Sequence, residues 1–250
     1  MHLKIIINGA IKMMNPPFTE IDVVILCGGA GTRLRSVMSD RPKALAPFGK
    51  VTFIDILLGS LKKQGFKNFI LCTGFMKKQI FDHFKKIEED TIAFSEEDEP
   101  LGTGGALKKA KSLISSGTFL VMNGDSICDI DFNEFYIFHK SKKALLSMAL
   151  VSSKNRGDFG SVVLDNSCEI VEFKEKVTNI KNSFINAGVY FMEKEIFSYM
   201  PDVASFSLEQ NFFPEMTRKK SYGFVIDGEL MDIGTPERFE KARHILKEHA

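Results

Sequence analysis

Two rhythms of apolar residues alternate along the chain. Short runs rich in β-branched residues recur at Ile21–Cys27, Asn68–Thr73, Thr91–Ser95, Thr118–Asn123, Ala144–Val151, Gly160–Leu164, Ser183–Phe191 and Gly223–Ile226. Their length and composition predict strands. Between several of them the apolar residues return at helical spacing. Ile54, Leu57, Leu58 and Leu61 share one helical face, with Lys62 and Lys63 in the last turn and Gly65 placed as a stop. Ile80, Phe81, Phe84 and Ile87 repeat that spacing. Asp131 with Glu134, and Ser207 with Gln210, have the separation of a capping box and predict helix starts. Thr235-Pro236 opens a last helix, whose apolar stripe is Phe239, Ala242, Ile245 and Leu246.

Strand, helix and strand in succession predict an α/β fold, a Rossmann-like, mostly parallel sheet flanked by helices on both faces. Between about 144 and 191 the helices lapse, which predicts a smaller strand-rich lobe inserted into that sheet. A chain of 250 residues suits one large domain better than two, here 21–250. Residues 1–20 read as a loose N-terminal extension, with Met13 or Met14 nearer the working start. In sheets of this kind ligands sit beyond the carboxyl ends of the strands, so functional residues are expected just after the apolar runs.

Charge and composition narrow the classes. Lys plus Arg number 33 against 32 Asp plus Glu, a formal charge of +1, so the chain lacks the broad cationic field of most nucleic-acid binders. Cys27, Cys72, Cys128 and Cys168 are scattered, which argues against a disulfide framework or a structural zinc site and suits the cytoplasm. Apolar runs such as Val23–Cys27 fall far short of the roughly 20 residues that cross a bilayer, and the start does not read as a secretory signal. The five histidines have no Ser or Cys in a nucleophile-elbow setting to serve, so a hydrolytic triad has little support. The 23 phenylalanines read as core, and Lys108, Lys109 and Lys111 as a solvated helix face.

The unusual sequences stand where ligands are expected. Leu26-Cys27-Gly28-Gly29-Ala30-Gly31-Thr32-Arg33-Leu34 comes directly after the first strand; its glycines let backbone N–H groups approach a phosphate, and Arg33 adds a forked donor. The spacing is neither G-x-G-x-x-G nor the Walker pattern, which disfavours a Rossmann oxidoreductase and a P-loop enzyme. Arg41-Pro42-Lys43 lies downstream in the same loop. Taken alone, the glycines fit a tight turn as well as a phosphate cradle, and the lysine fits a solvated surface.

Together, Gly28–Leu34 with Pro42-Lys43 behind it resembles the signature of sugar-1-phosphate nucleotidylyltransferases, and further segments match in the family's order over roughly residues 21–240. The resemblance implies that Leu26, Gly28, Gly29, Gly31, Thr32 and Arg33, with Gly102 and Thr103 of Glu99–Ala106, bind the nucleotide. It implies catalytic roles for Arg33, Lys43 and Asp125. Asp125 of Asn123-Gly124-Asp125 and Asp232 of Met231–Glu237 would ligate Mg²⁺. Gly160, Glu175, Lys176 and Asn186 would bind the sugar phosphate, although Val177 stands where many members have proline.

The implied partners are a nucleoside triphosphate and a sugar 1-phosphate, without nucleic acid or membrane; a homo-oligomer stays open. Pro100–Ala106 and Phe173–Lys176 look closest to D-glycero-α-D-manno-heptose 1-phosphate guanylyltransferases, which implies GTP and the heptose phosphate. Mannose-1-phosphate guanylyltransferase, N-acetylmuramate-1-phosphate uridylyltransferase and glucose-1-phosphate nucleotidylyltransferase are the alternatives. A non-catalytic nucleotide-sugar-binding relative is a rival from another class, disfavoured because Arg33, Lys43, Asp125, Lys176 and Asp232 are all present.

Overall fold

A computed structural model describes residues 18–85, 92–152, 159–175 and 183–246, together with the strands Ile5–Ile7 and Ala10–Lys12, which pair with each other. Its main sheet contains β1 (Asp22–Leu26), β2 (Asn68–Thr73), β3 (Ile92–Glu96), β4 (Thr118–Asn123), β5 (Leu146–Ser152), β6 (Ser161–Leu164), β7 (Ile170–Lys174), β8 (Phe184–Glu193) and β9 (Ser221–Ile226). The order is β7-β6-β8-β4-β1-β2-β3, with β5 alongside β8 and β9 alongside β5. Strands β3, β2, β1 and β4 are mutually parallel, and β9 is parallel to β5. Strand β8 runs antiparallel to both β4 and β5, and the β6–β7 hairpin extends from it. The strand-rich segment is therefore continuous with the main sheet.

The helices are α1 (Phe53–Lys63), α2 (Lys77–Phe84), α3 (Gly102–Ala110), α4 (Phe132–Ser141) and α5 (Pro236–Leu246). Side chains along a strand alternate between faces. Val23 and Ile25 accordingly join α1, α2 and α4 in one core, whereas Val24 packs with α3 and with Leu208, Phe212 and Phe213 in another. All three are fully buried, because β1 is covered on both sides. A third cluster joins Leu34, Ala46, Phe48 and Phe53 to Ile233, Phe239 and Ala242. It clamps the long loop after β1 against α5 and the segment before it.

Several expectations need correction. Phe18 is buried and stacks on Phe66 with centroids 4.5 Å apart, so the end of the supposed loose extension belongs to the core. Ser207 does cap the backbone, accepting from Glu209 N and Gln210 N, but the chain beyond it forms a five-residue π turn and a 3₁₀ turn. Pro214 lacks the N–H that a continuing α-helix needs. Phe81 and Ile245 lie largely outside the core, and Ile87 falls outside the described residues. Among the described residues, β7 has no counterpart among the expected strands, nor do three short antiparallel ladders: Ile5–Ile7 with Ala10–Lys12, Pro47–Phe48 with Val51–Thr52, and Ser126–Cys128 with Leu230–Asp232.

Candidate active site

Connections from β1 lead to β2 on one side, while β4 lies on the other. The crevice where strand order reverses is thus bounded by the loops after β1 and β4. A cavity of about 510 Å³ opens there. Among the residues singled out from the sequence, Leu26, Gly28, Gly29, Gly31, Lys43, Gly102, Thr103 and Asp125 line it. Gly31 has φ 58°, a left-handed conformation that glycine adopts at little cost, and its carbonyl accepts from Leu34 N at 2.9 Å. This turn directs the chain into the short helical segment Thr32–Leu34.

Lys43 comes after extended Pro42 and runs beside Gly31. Its Nζ meets Asp125 Oδ2 at 2.5 Å. Asp125 sits immediately before the Ser126–Cys128 ladder, in which Ser126 pairs with Asp232; Ile233 N donates to the Asp125 carbonyl at 3.0 Å. The two aspartates, 107 positions apart in the chain, are therefore neighbours across one ladder. Asp232 is nearly buried, and its Oδ1 accepts from Gly234 N at 2.9 Å and from Arg238 Nη1 at 3.2 Å. Exposed Arg33 and Thr32 stand outside the cavity lining, and Arg33 Nη2 approaches the Asp232–Gly234 turn. Two carboxylates offering only oxygen suit a hard divalent cation completed by phosphate oxygens. Among the described residues no cluster of three or more His, Cys, Asp or Glu forms a metal site unaided.

Gly160, Glu175, Asn186 and Asp232 lie outside this cavity's lining. The first three gather nearby: Asn186 N donates to Gly160 O at 2.9 Å, and Gly160 lies against Glu175 Oε2. The Asn186 amide is already engaged, giving Nδ2 to Tyr190 Oη at 2.8 Å and accepting from Gly188 N at 3.0 Å. Burial first, then the charges of Glu209, Glu175 and Asp125, push the Tyr190 phenol well above its ordinary range. Tyr190 thus stands between the two groups of residues and stays protonated. Lys176 falls outside the described residues.

Thr103 has a structural task. Its hydroxyl donates to Glu209 Oε2 at 2.6 Å and accepts from Leu208 N at 2.8 Å, bracing the start of α3 against the 208–212 turn. Only its remaining surface faces the cavity.

Glu97 was not among the candidates read from the sequence. It stands just past β3, lines the cavity and is buried, with Oε2 accepting from Leu101 N at 3.1 Å. Burial raises its pKa, against the hydrogen bond from Leu101 and the charge of Lys109. An acidic residue directly beyond a parallel strand was the available signal, hidden within the charged run Glu96–Glu99. Cys27 also lines the cavity, but burial and then Glu97 push its thiol up to about 12, which leaves it protonated and unreactive. A Ser147–His139–Glu193 alignment exists elsewhere, at 2.9 and 3.2 Å, yet Ser147 and His139 are fully buried and closed to substrate.

Comparison with known proteins places the chain in a family. A nucleotidyl transferase family model matches residues 22–249. The D-glycero-α-D-manno-heptose 1-phosphate guanylyltransferase of Aneurinibacillus thermoaerophilus is 37% identical over 231 residues, 92% of this chain and 100% of that protein. The enzyme of the same name from Campylobacter jejuni is 34% identical over 220 residues, 88% and 97% of the two chains. The crystal structure of HddC from Yersinia pseudotuberculosis complexed with GMP-PN superposes with a TM-score of 0.79 at 33% identity, covering 91% of this chain and all of that one. With a family match spanning almost the whole chain and a glycine-rich crevice at the sheet's switch point, the protein belongs to the nucleotidyl transferase family.

Proposed function

We propose that this protein is a sugar-1-phosphate guanylyltransferase that joins GTP and D-glycero-α-D-manno-heptose 1-phosphate into GDP-heptose and pyrophosphate. The observation that carries the reading is one cavity with the Lys43–Asp125 pair and the glycine loop among its walls and a buried carboxylate, Glu97, among the rest. Guanine presents adjacent N1–H and N2–H donors, which a carboxylate can accept together. Uracil and thymine present a single ring N–H between two carbonyls, so Glu97 favours guanine. The heptose rests on the two similar bacterial enzymes, each matched over nearly its full length.

In the reaction an oxygen of the sugar phosphate attacks the α-phosphorus. As that bond forms, the bond from the α-phosphorus to the oxygen bridging the β-phosphate breaks, and pyrophosphate leaves. A phosphate monoester is ionised near neutral pH, so no general base is needed. Lys43 and Arg33 stabilise charge on the triphosphate and the departing pyrophosphate, while backbone N–H groups of Gly28–Gly31 hold it in line. Glu175 and Asn186 face the sugar, and Lys176 neutralises its phosphate. Mg²⁺ held by Asp125 and Asp232 would add charge stabilisation at the phosphate oxygens.

We place the reaction in the cytoplasm, with no nucleic-acid or membrane partner. No helix among the described residues is long and apolar enough to cross a membrane. The test is a panel of GTP, UTP, ATP, CTP and dTTP against heptose, mannose, glucose and N-acetylmuramate 1-phosphates in Mg²⁺, scored by pyrophosphate. The expected result is the highest kcat/KM for GTP with the heptose phosphate. Preference for UTP would overturn the base assignment, and preference for mannose 1-phosphate the sugar assignment.

A further inference from the structure

Both aspartates assigned to the metal already hold a cation. Asp125 is paired with Lys43 at 2.5 Å, and Asp232 with Arg238 at 3.2 Å. Arg33 Nη2 also approaches Gly234, two residues beyond Asp232. These five side chains therefore bring three formal positive charges against two negative ones. Glu209 and Glu175 also act on this region: with Asp125 they oppose the ionisation of Tyr190, and Glu209 is held by the Thr103 hydroxyl at 2.6 Å.

Arg238 is the member of this group that motif and spacing leave unassigned. It stands in the first turn of α5, with N donating to Thr235 Oγ1 at 3.4 Å. Its guanidinium lies 4.8 Å above the Phe159 ring. The planar cation is thus seated on an aromatic face while it pairs with Asp232. Gly234 N already orients Asp232 Oδ1, so the added effect of Arg238 is mainly electrostatic. Its positive charge opposes the approach of a second cation to the same carboxylate.

We propose that Arg238 is an electrostatic gate: by neutralising Asp232, as Lys43 neutralises Asp125, it excludes a free divalent cation from the paired aspartates and makes metal entry depend on the nucleoside triphosphate. This rests on reading Asp125 and Asp232 as the metal ligands. A triphosphate brings enough negative charge to recruit Lys43 and Arg33 and to compensate Arg238, so the cation enters with the nucleotide. Without the nucleotide, the paired aspartates then do not take up metal alone.

The test is Mn²⁺ binding, monitored by the electron paramagnetic resonance of the free ion, with and without α,β-methylene-GTP. Wild-type protein should bind free Mn²⁺ weakly, and the analogue should tighten binding by at least about tenfold. R238Q and R238M, each shown to be folded by thermal melting, should bind free Mn²⁺ about tenfold more tightly than wild type, with R238K unchanged. A gain in affinity is not an outcome of structural damage. Free-Mn²⁺ affinity equal to wild type in both R238Q and R238M, with D232N still abolishing analogue-dependent binding, overturns the gate and leaves the metal assignment standing. Wild-type Mn²⁺ binding by D232N with the analogue overturns the metal assignment itself, and the gate with it.

Discussion

Glu97→Gln separates base reading from folding. The substitution keeps size and one acceptor oxygen, which the Leu101 N–H at 3.1 Å requires. The NH₂ group must then face the base, where guanine also presents donors. Hydrogen bonds to a charged partner contribute about 1.5–3 kcal/mol each, so losing both to guanine costs roughly 3–6 kcal/mol, about 150- to 25,000-fold in kcat/KM for GTP. ITP, which lacks the N2 amino group, supplies the internal control. Wild type should prefer GTP over ITP by about 10- to 100-fold, and E97Q should bring that ratio close to one. Stability should move the other way. Because burial raises the Glu97 pKa in the folded state, the ionised carboxylate opposes folding at neutral pH. E97Q should therefore melt no lower than wild type. The same raised pKa predicts that KM for GTP in wild type climbs as pH falls through a window above the ordinary carboxylate range, a dependence absent from E97Q. The assay is pyrophosphate release at saturating sugar phosphate. An E97Q enzyme with the wild-type GTP/ITP ratio would refute the base-reading role.

Asp125→Ala should lower kcat far more than it changes KM for the sugar phosphate, because it removes charge stabilisation from the reacting phosphates; near wild-type pyrophosphate release would remove Asp125 from catalysis. Gly104→Ala would place a methyl carbon 2.2 Å from Phe206 Cε2, in the segment whose carbonyl accepts from Gly104 N and Gly105 N. Alanine's helix preference of about 1 kcal/mol cannot offset that overlap, so a net loss of about 1–3 kcal/mol in denaturant titration and a raised KM for GTP are expected. Burial would raise Glu193, but hydrogen bonds from His139, Lys140 and Thr118 outweigh it and bring the group down to about 2 from its ordinary 4.5. Its stabilisation, about 2 kcal/mol once partial exposure is allowed for, is complete above pH 4.5 and fades as pH falls toward 2. Acid titration of wild type and E193Q should show the two stabilities converging over that window.

Strand periodicity and glycine placement made much of the architecture legible in advance. The runs around β1, β2 and β4 are apolar at successive positions because both faces are covered, and the segments just beyond them carry the ligand loops. Strand β7 escaped because Glu172 and Lys174 alternate with apolar residues on a half-exposed edge. Ser207 has the chemistry of a helix cap, and it caps; Pro214 decides that no α-helix forms there.

Lys43, Asp125 and Asp232 stood out only through the resemblance of their segments, in order, to the family's motifs; by residue type and local order alone, the lysine reads as a solvated surface charge and the aspartates as turn or cap residues. Their meeting is not written along the chain. The ladder joining Asp125 to Asp232 is three residues long on each side, too short to leave a periodic signal, and it forms because the third core cluster holds Ile233 and α5 against the long loop. The partners divide in the same way. Arg238 in the first turn of a helix reads as a surface charge, and Glu97 as one acid in a charged run. Only packing, which buries Glu97 and stacks Arg238 on Phe159, makes them candidates for the site. Local preference acts over a few residues, whereas burial and ion pairing depend on which distant segments the sheet order brings together.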